Sequence, residues 1–126
     1  MATSDHTSPA SIPNLPDVTT DVLKVSDVLG EITRELVIQD VKLGDQNHPD
    51  GTGGPVMQSE AERYRSIGAW MRENGGIDWR HILLQKVYET VAEEDLAKLR
   101  AELLQVTATA VQWVLAIDRR QGGESR

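Results

Sequence analysis

HILLQKVYETVAEEDLAKLRAELLQVTATAVQWVLAID, residues 81–118, reads as two helices joined by a very short turn. Apolar residues recur at steps of three and four on both sides of Glu93-Glu94-Asp95, the period of an α-helix with one face turned inward. Asp78 is a natural N-cap for the earlier helix, Trp79 to about Ala92, and Asp95 for the later one, Leu96 to about Arg119. The later helix carries Leu96, Leu99, Leu103, Val106, Ala110, Trp113 and Ile117 on one face. Leu104, Ala108, Val111 and Leu115 form a second. A helix apolar on two sides is central in a bundle or buried in an oligomer interface.

Outward from the hairpin, Asn74-Gly75-Gly76 stops a preceding helix over about Glu60 to Glu73. Ser59 and Glu62 have capping-box spacing, and Ala61, Tyr64, Ile67, Gly68 and Met71 supply the inner face. Leu43 to Val56, LGDQNHPDGTGGPV, is a long loop, because its Asn, Asp, Gly and Pro forbid regular structure. Before it, Val22, Val25, Leu29, Ile32 and Leu36 form one stripe of a first helix, capped by Asp17 or Thr20 and running to about Lys42. Residues 1–17, rich in Ser, Thr and Pro, read as a flexible tail, residues 18–120 as one helical domain, and residues 121–126 as a second tail. The expected fold is all-α: a four-helix bundle with a flexible N-terminal tail and a long loop between helices 1 and 2.

Composition agrees. At 126 residues without Phe, and with 4% aromatics, the core must be Leu, Val, Ile and three Trp, which suits helix packing better than a sheet sandwich. A net charge of −7 argues against a nucleic-acid polymer as partner, which needs a basic face. With no cysteine there is no disulfide framework and no thiolate zinc site. The N-terminus lacks the basic and apolar regions of a signal peptide, and Leu103–Ile117, at 15 residues, is too short to span a bilayer. The expectation is a cytoplasmic protein with no membrane partner.

Two polar stripes interrupt this apolar pattern. Gln85, Lys86 and Glu89 share one side of the third helix with Ile82, and Glu102, Gln105, Thr109 and Gln112 share one side of the fourth. Facing one another they would make a polar pocket, because burying such groups unpaired costs about 1–3 kcal/mol each. The plainer reading is a solvated rim, with Lys86 snorkelling over Ile82 or paired with Glu89 or Glu102. His81 reads as capping or packing rather than a catalytic base, and Trp79 and Trp113 as core or interface residues. Trp70 is an alternative to them for stacking on a nucleobase.

KLGDQNHPDGTG, residues 42–53, together with residues 78–120, resembles the MazG-like family of all-α nucleoside triphosphate pyrophosphohydrolases, in the short form common in actinobacteria and their phages. The resemblance covers about residues 28–120. It implies a four-helix MazG-like bundle and Mg2+-dependent hydrolysis of an NTP or dNTP to a monophosphate and pyrophosphate. It also implies a homodimer or homotetramer with hairpins from different subunits packed together, to which the two-sided fourth helix gives independent support. The family's EExxE positions fall on Gln85, Lys86 and Glu89, and only Glu89 matches. Its ExxD, or ExxQ in the short forms, falls on Glu102 and Gln105. By resemblance, then, the metal ligands are Glu89, Glu102 and Gln105. Lys86 is a substrate contact along with Lys42, Gln46, Asn47, His48 and Asp50 of the loop, which the resemblance places at the pocket mouth. Strong turn chemistry explains the same Asn-His-Pro-Asp-Gly run without any ligand.

The departures bear on the chemistry. Magnesium wants a near-octahedral set of oxygens, usually carboxylates with phosphate and water. A protonated Lys86 cannot ligate it, and at ~4–6 Å with an effective dielectric near 20 the repulsion amounts to several kcal/mol. No residue is thereby assigned as catalytic, since Gln85 and Lys86 occupy motif positions. Two functions follow: a pyrophosphohydrolase of weakened or altered activity, or a non-catalytic nucleotide-binding or protein-interaction module on the same fold.

Overall fold

A computed structural model describes residues 19–123 as four helices and no strand: α1 Thr19–Leu43, α2 Pro55–Glu73, α3 Trp79–Val91 and α4 Leu96–Gly123. The proposed tail 1–17 and its cap Asp17 lie outside the described residues. At the other end α4 runs on to Gly123, three residues into the stretch 121–126 expected as a tail, and residues 124–126 lie outside the described residues.

The caps explain most boundaries. Asp78 accepts a hydrogen bond from the backbone N–H of His81 at 2.8 Å, which starts α3. Asp95 does the same for the N–H of Lys98 at 3.0 Å, which starts α4. The second helix begins five residues earlier than its capping-box spacing suggests, so Ser59 lies inside it. Pro55 at the first helical position has the φ a helix needs and no N–H to lose, with Gly54 before it at φ 95°. Gly75 and Gly76, both at positive φ, end it.

In space the order is α2, α3, α4, α1. Among the described residues α3 packs on both α2 and α4, whereas α1 packs on α4 alone. The bundle is therefore open. Every residue of α3 from Ile82 to Glu89 is half-buried, as expected of a helix with neighbours on two sides. The apolar core between α1 and α4 consists of Val28, Val111 and Leu115, with Val25 and Ile32 packed against it. α4 thus has α3 on one side and α1 on another, but its two expected apolar faces are only partly covered: Leu96, Leu103 and Leu104 stay 69%, 50% and 56% exposed. The expected stripe on α1 splits instead. Val25, Val28 and Ile32 turn to α4, while Val22, Leu29 and Leu36 remain exposed.

Candidate functional site

α3 presents Gln85, Lys86 and Glu89 along one side, and its position between α2 and α4 sends them to different neighbours. Lys86 Nζ donates to Gln105 Oε1 at 2.9 Å, joining the two polar stripes across the hairpin seam. The same ammonium lies 3.8 Å from Glu89 Oε1. Glu89 Oε2 accepts from Arg65 Nε of α2 at 3.0 Å and from Gln85 Nε2 at 3.3 Å. Lys86 thus pairs with Glu89, as the plainer sequence reading allows, and not with Glu102.

Glu102 behaves differently. Its Oε1 is buried and has no hydrogen-bond partner. Burial, then the nearby carboxylates of Glu93 and Glu89, raise its pKa above the usual 4.5, with Lys86 and Lys98 acting in the opposite sense. Gln85 Oε1 is the other buried acceptor without a partner among the described residues. It sits against Gly68 of α2, where a Cβ would come within 2.6 Å of it. The rest of the α4 stripe does not join the seam: Thr109 Oγ1 bonds back to the Gln105 carbonyl at 2.9 Å, and Gln112 is exposed.

The carboxylates present do not fit a magnesium ion in this arrangement. Both oxygens of Glu89 face cations or amide N–H, and the carbonyl oxygen of Gln105 is bound by Lys86. Of the three expected ligands only Glu102 keeps a free oxygen turned inward. Among the described residues no three of His, Cys, Asp and Glu gather closely enough to hold a metal.

No protein-family model matches this chain, and no curated protein or solved structure matches it. The site is therefore read from its own residues.

Lys42, expected in the loop, lies instead in the last turn of α1, and it is exposed, as are the loop residues Gln46, Asn47, His48 and Asp50. His48 Nε2 lies 3.3 Å from Gln46 Oε1 within the loop, and none of these side chains bonds to the hairpin. The end of the loop does reach it. Gly53 N–H donates to the Val91 carbonyl at 2.8 Å, and Gly54 N–H to Glu94 Oε2 at 3.3 Å. Gly53 has φ 91° and lies so close to Glu94 that a Cβ would overlap that side chain. These glycines tether the loop to the hairpin turn, about half a helical turn beyond Glu89.

His81 is buried, and its Nε2 donates to the Tyr64 carbonyl at 2.6 Å, so Nε2 carries the proton. Its ring stacks on Tyr64, which stacks on Tyr88. That is packing, as its sequence position suggests. Trp79 and Trp113 stack on one another at 6.2 Å, and Trp70 is 63% exposed. Sequence reasoning missed Arg65 and Glu94. Arg65 looks like any surface arginine until α2 lies beside α3; Glu94 is one acid in an acidic turn until the loop folds onto it.

Proposed function

We propose that the chain is a MazG-like nucleotide-binding module, derived from a nucleoside triphosphate pyrophosphohydrolase, in which Mg2+-dependent turnover is weak or lost. The observation that carries this reading is the Lys86 ammonium, 2.9 Å from Gln105 Oε1 and 3.8 Å from Glu89 Oε1. A fixed positive charge stands at the hairpin seam, where the family resemblance puts a metal. Lysine is a good point-charge contact for phosphate. Its partners can release it, since Gln105 is neutral and Glu89 has Arg65 as a second cation. The ligand class is an NTP or dNTP, with Lys86 on the phosphate chain.

The second reading is a pyrophosphohydrolase of altered activity with magnesium held by Glu89, Glu102 and Gln105. Its support is the buried, unpartnered oxygen of Glu102 and the repulsion among Glu89, Glu93 and Glu102, which a cation would relieve. When bound, the metal would neutralise phosphate charge and activate water. The residues of this chain would then have to rearrange: Lys86 would leave Gln105, and Arg65 would leave Glu89.

Isothermal titration with deoxynucleoside triphosphates, with and without magnesium, separates the two. The expected result is binding that does not require magnesium, without pyrophosphate release. Release that depends on magnesium supports the second reading instead. Absence of binding in both conditions removes both. Lys86→Glu combined with Gln85→Glu is expected to make binding magnesium-dependent; an unchanged magnesium response would overturn the role given to Lys86.

A further inference from the structure

Three donors from two helices converge on one carboxylate. Arg65 Nε of α2 lies 3.0 Å from Glu89 Oε2, Gln85 Nε2 of α3 lies 3.3 Å from the same oxygen, and Lys86 Nζ lies 3.8 Å from Oε1. Two cations and an amide N–H around one pair of oxygens are a donor set that also suits a phosphate group. Burial separates the parts: the Glu89 side chain is 20% exposed, against 49% for Arg65 and 38% for Lys86. The cations are thus open to solvent, and the carboxylate stands where an anion arriving from solvent would bind them.

Gln85 shows that the donors are aimed. Its Oε1 is seated against Gly68 of α2, in space that a Cβ would fill, and it is buried with no partner. An ion pair alone has no need of it, and a buried acceptor left unpaired is costly. What the placement achieves is to turn the Nε2 donor towards Glu89. The carboxylate is also removable. Arg65 and Lys86 remain partly in water, where an ion pair contributes little. Lys86 keeps Gln105 as a second partner, and Arg65 keeps Glu62, 3.9 Å away. Glu89 and Glu93 already repel Glu102, so a further anion is tolerated in place of Glu89 and not beside it.

We propose that Arg65, Gln85 and Lys86 form a subsite for one phosphate group, and that the Glu89 carboxylate is a gate that holds the subsite closed until phosphate displaces it. The inference rests on the reading of the α3–α4 seam as a site for a phosphate chain. It adds Arg65 to that site and gives Glu89 a role opposite to metal ligation.

Inorganic triphosphate in EDTA, titrated calorimetrically into the full chain, is the probe. Glu89→Gln keeps the shape and removes the charge, and it is expected to bind the probe about tenfold more tightly than the wild type, the effect of one nearby charge partly screened by water. Adding Arg65→Met to it is expected to remove that gain. Glu62→Gln takes an equal charge from the exposed side of Arg65 and is expected to change affinity by less than about twofold. An unchanged or weaker affinity in Glu89→Gln overturns the inference, as does a gain that survives Arg65→Met or that Glu62→Gln reproduces. A deoxynucleoside triphosphate titrated under the same conditions keeps the two readings apart. If the wild type binds the nucleotide and Glu89→Gln shows no gain, the gate alone is overturned. If Glu89→Gln gains affinity for triphosphate and neither chain binds the nucleotide, the gate is supported and the nucleotide reading falls. Should Glu89→Gln lose its helical circular dichroism, the Arg65 Nε–H resonance of the wild type decides. It is expected to move with triphosphate and not with sodium chloride at equal ionic strength; a resonance that stays in place overturns the subsite.

Discussion

The two flanks of α4 differ in where their buried polar groups lie. Towards α1 it offers Val111 and Leu115, which form an apolar cluster with Val28. Towards α3 it offers Glu102 and Gln105, one left without a partner and the other bound by a lysine from the facing helix. The first flank is an apolar cluster that holds α1 on α4. The second holds a buried carboxylate oxygen without a partner, which a fold optimised for stability alone would have replaced. On that difference rests the choice of the α3–α4 seam as the candidate site in the function proposed above.

Cutting the apolar flank should have the largest effect. Leu115 is buried, and Leu115→Ala should destabilise by about 2–4 kcal/mol through lost burial and the cavity left behind. Urea unfolding followed by circular dichroism measures it, and a loss under ~1 kcal/mol would mean that α1 is not held by this cluster.

Next comes the tether of the loop to the hairpin. Gly53→Ala places a Cβ at φ 91° and into the Glu94 side chain, a cost of roughly 1–3 kcal/mol. Pairing it with Glu94→Ala should recover only the part due to overlap. Full recovery would show that the backbone conformation is not strained.

The polar flank should respond in the opposite direction. Because the Glu102 pKa is raised in the folded state, the folded protein holds that proton more tightly than the unfolded chain. Its cost is therefore absent well below pH 4.5, appears as pH rises through that unfolded value, and is complete above the folded one. Glu102→Gln should stabilise by up to about 1 kcal/mol at neutral pH, and the gain should vanish in acid. Melting curves at pH 7 and in acid test this; a loss at neutral pH would mean that the ionised carboxylate has a favourable partner.

The smallest effect belongs to Arg65→Ala. Arg65 is half exposed, and such pairs contribute about 0–1 kcal/mol, so melting should barely move. Magnesium titration of the same variant is the more telling measurement. Freeing Glu89 from Arg65 should strengthen any magnesium response, though less than removing Lys86.

Much of this was legible in the chain because it depends on neighbours in sequence. The four helices, the Asp78 and Asp95 caps and the hairpin turn follow from short-range periodicity and capping. The start of α2 was misplaced because two local signals competed, and Pro55 with Gly54 prevailed over Ser59 with Glu62. The inward lean of Lys86 and Gln105 was visible as two polar stripes; that they meet at 2.9 Å was not, since helix rotation is set by packing.

Arg65, Glu94 and the fate of the α1 stripe belong to the tertiary structure alone. Periodicity says that a helix has an apolar side, and not which neighbour takes it. Val25 and Leu29 look equivalent in sequence, and the position of α4 partly buries one and leaves the other exposed. Likewise Glu89 and Glu102 are alike as letters. One lies beside Arg65 and Lys86, and the other beside two further carboxylates. By itself the sequence determined the helices and which of their residues are polar or apolar, because those depend on backbone propensity and side-chain chemistry. Only the tertiary structure decided which charges neutralise one another, because Coulomb energy depends on distances that are set when the helices pack.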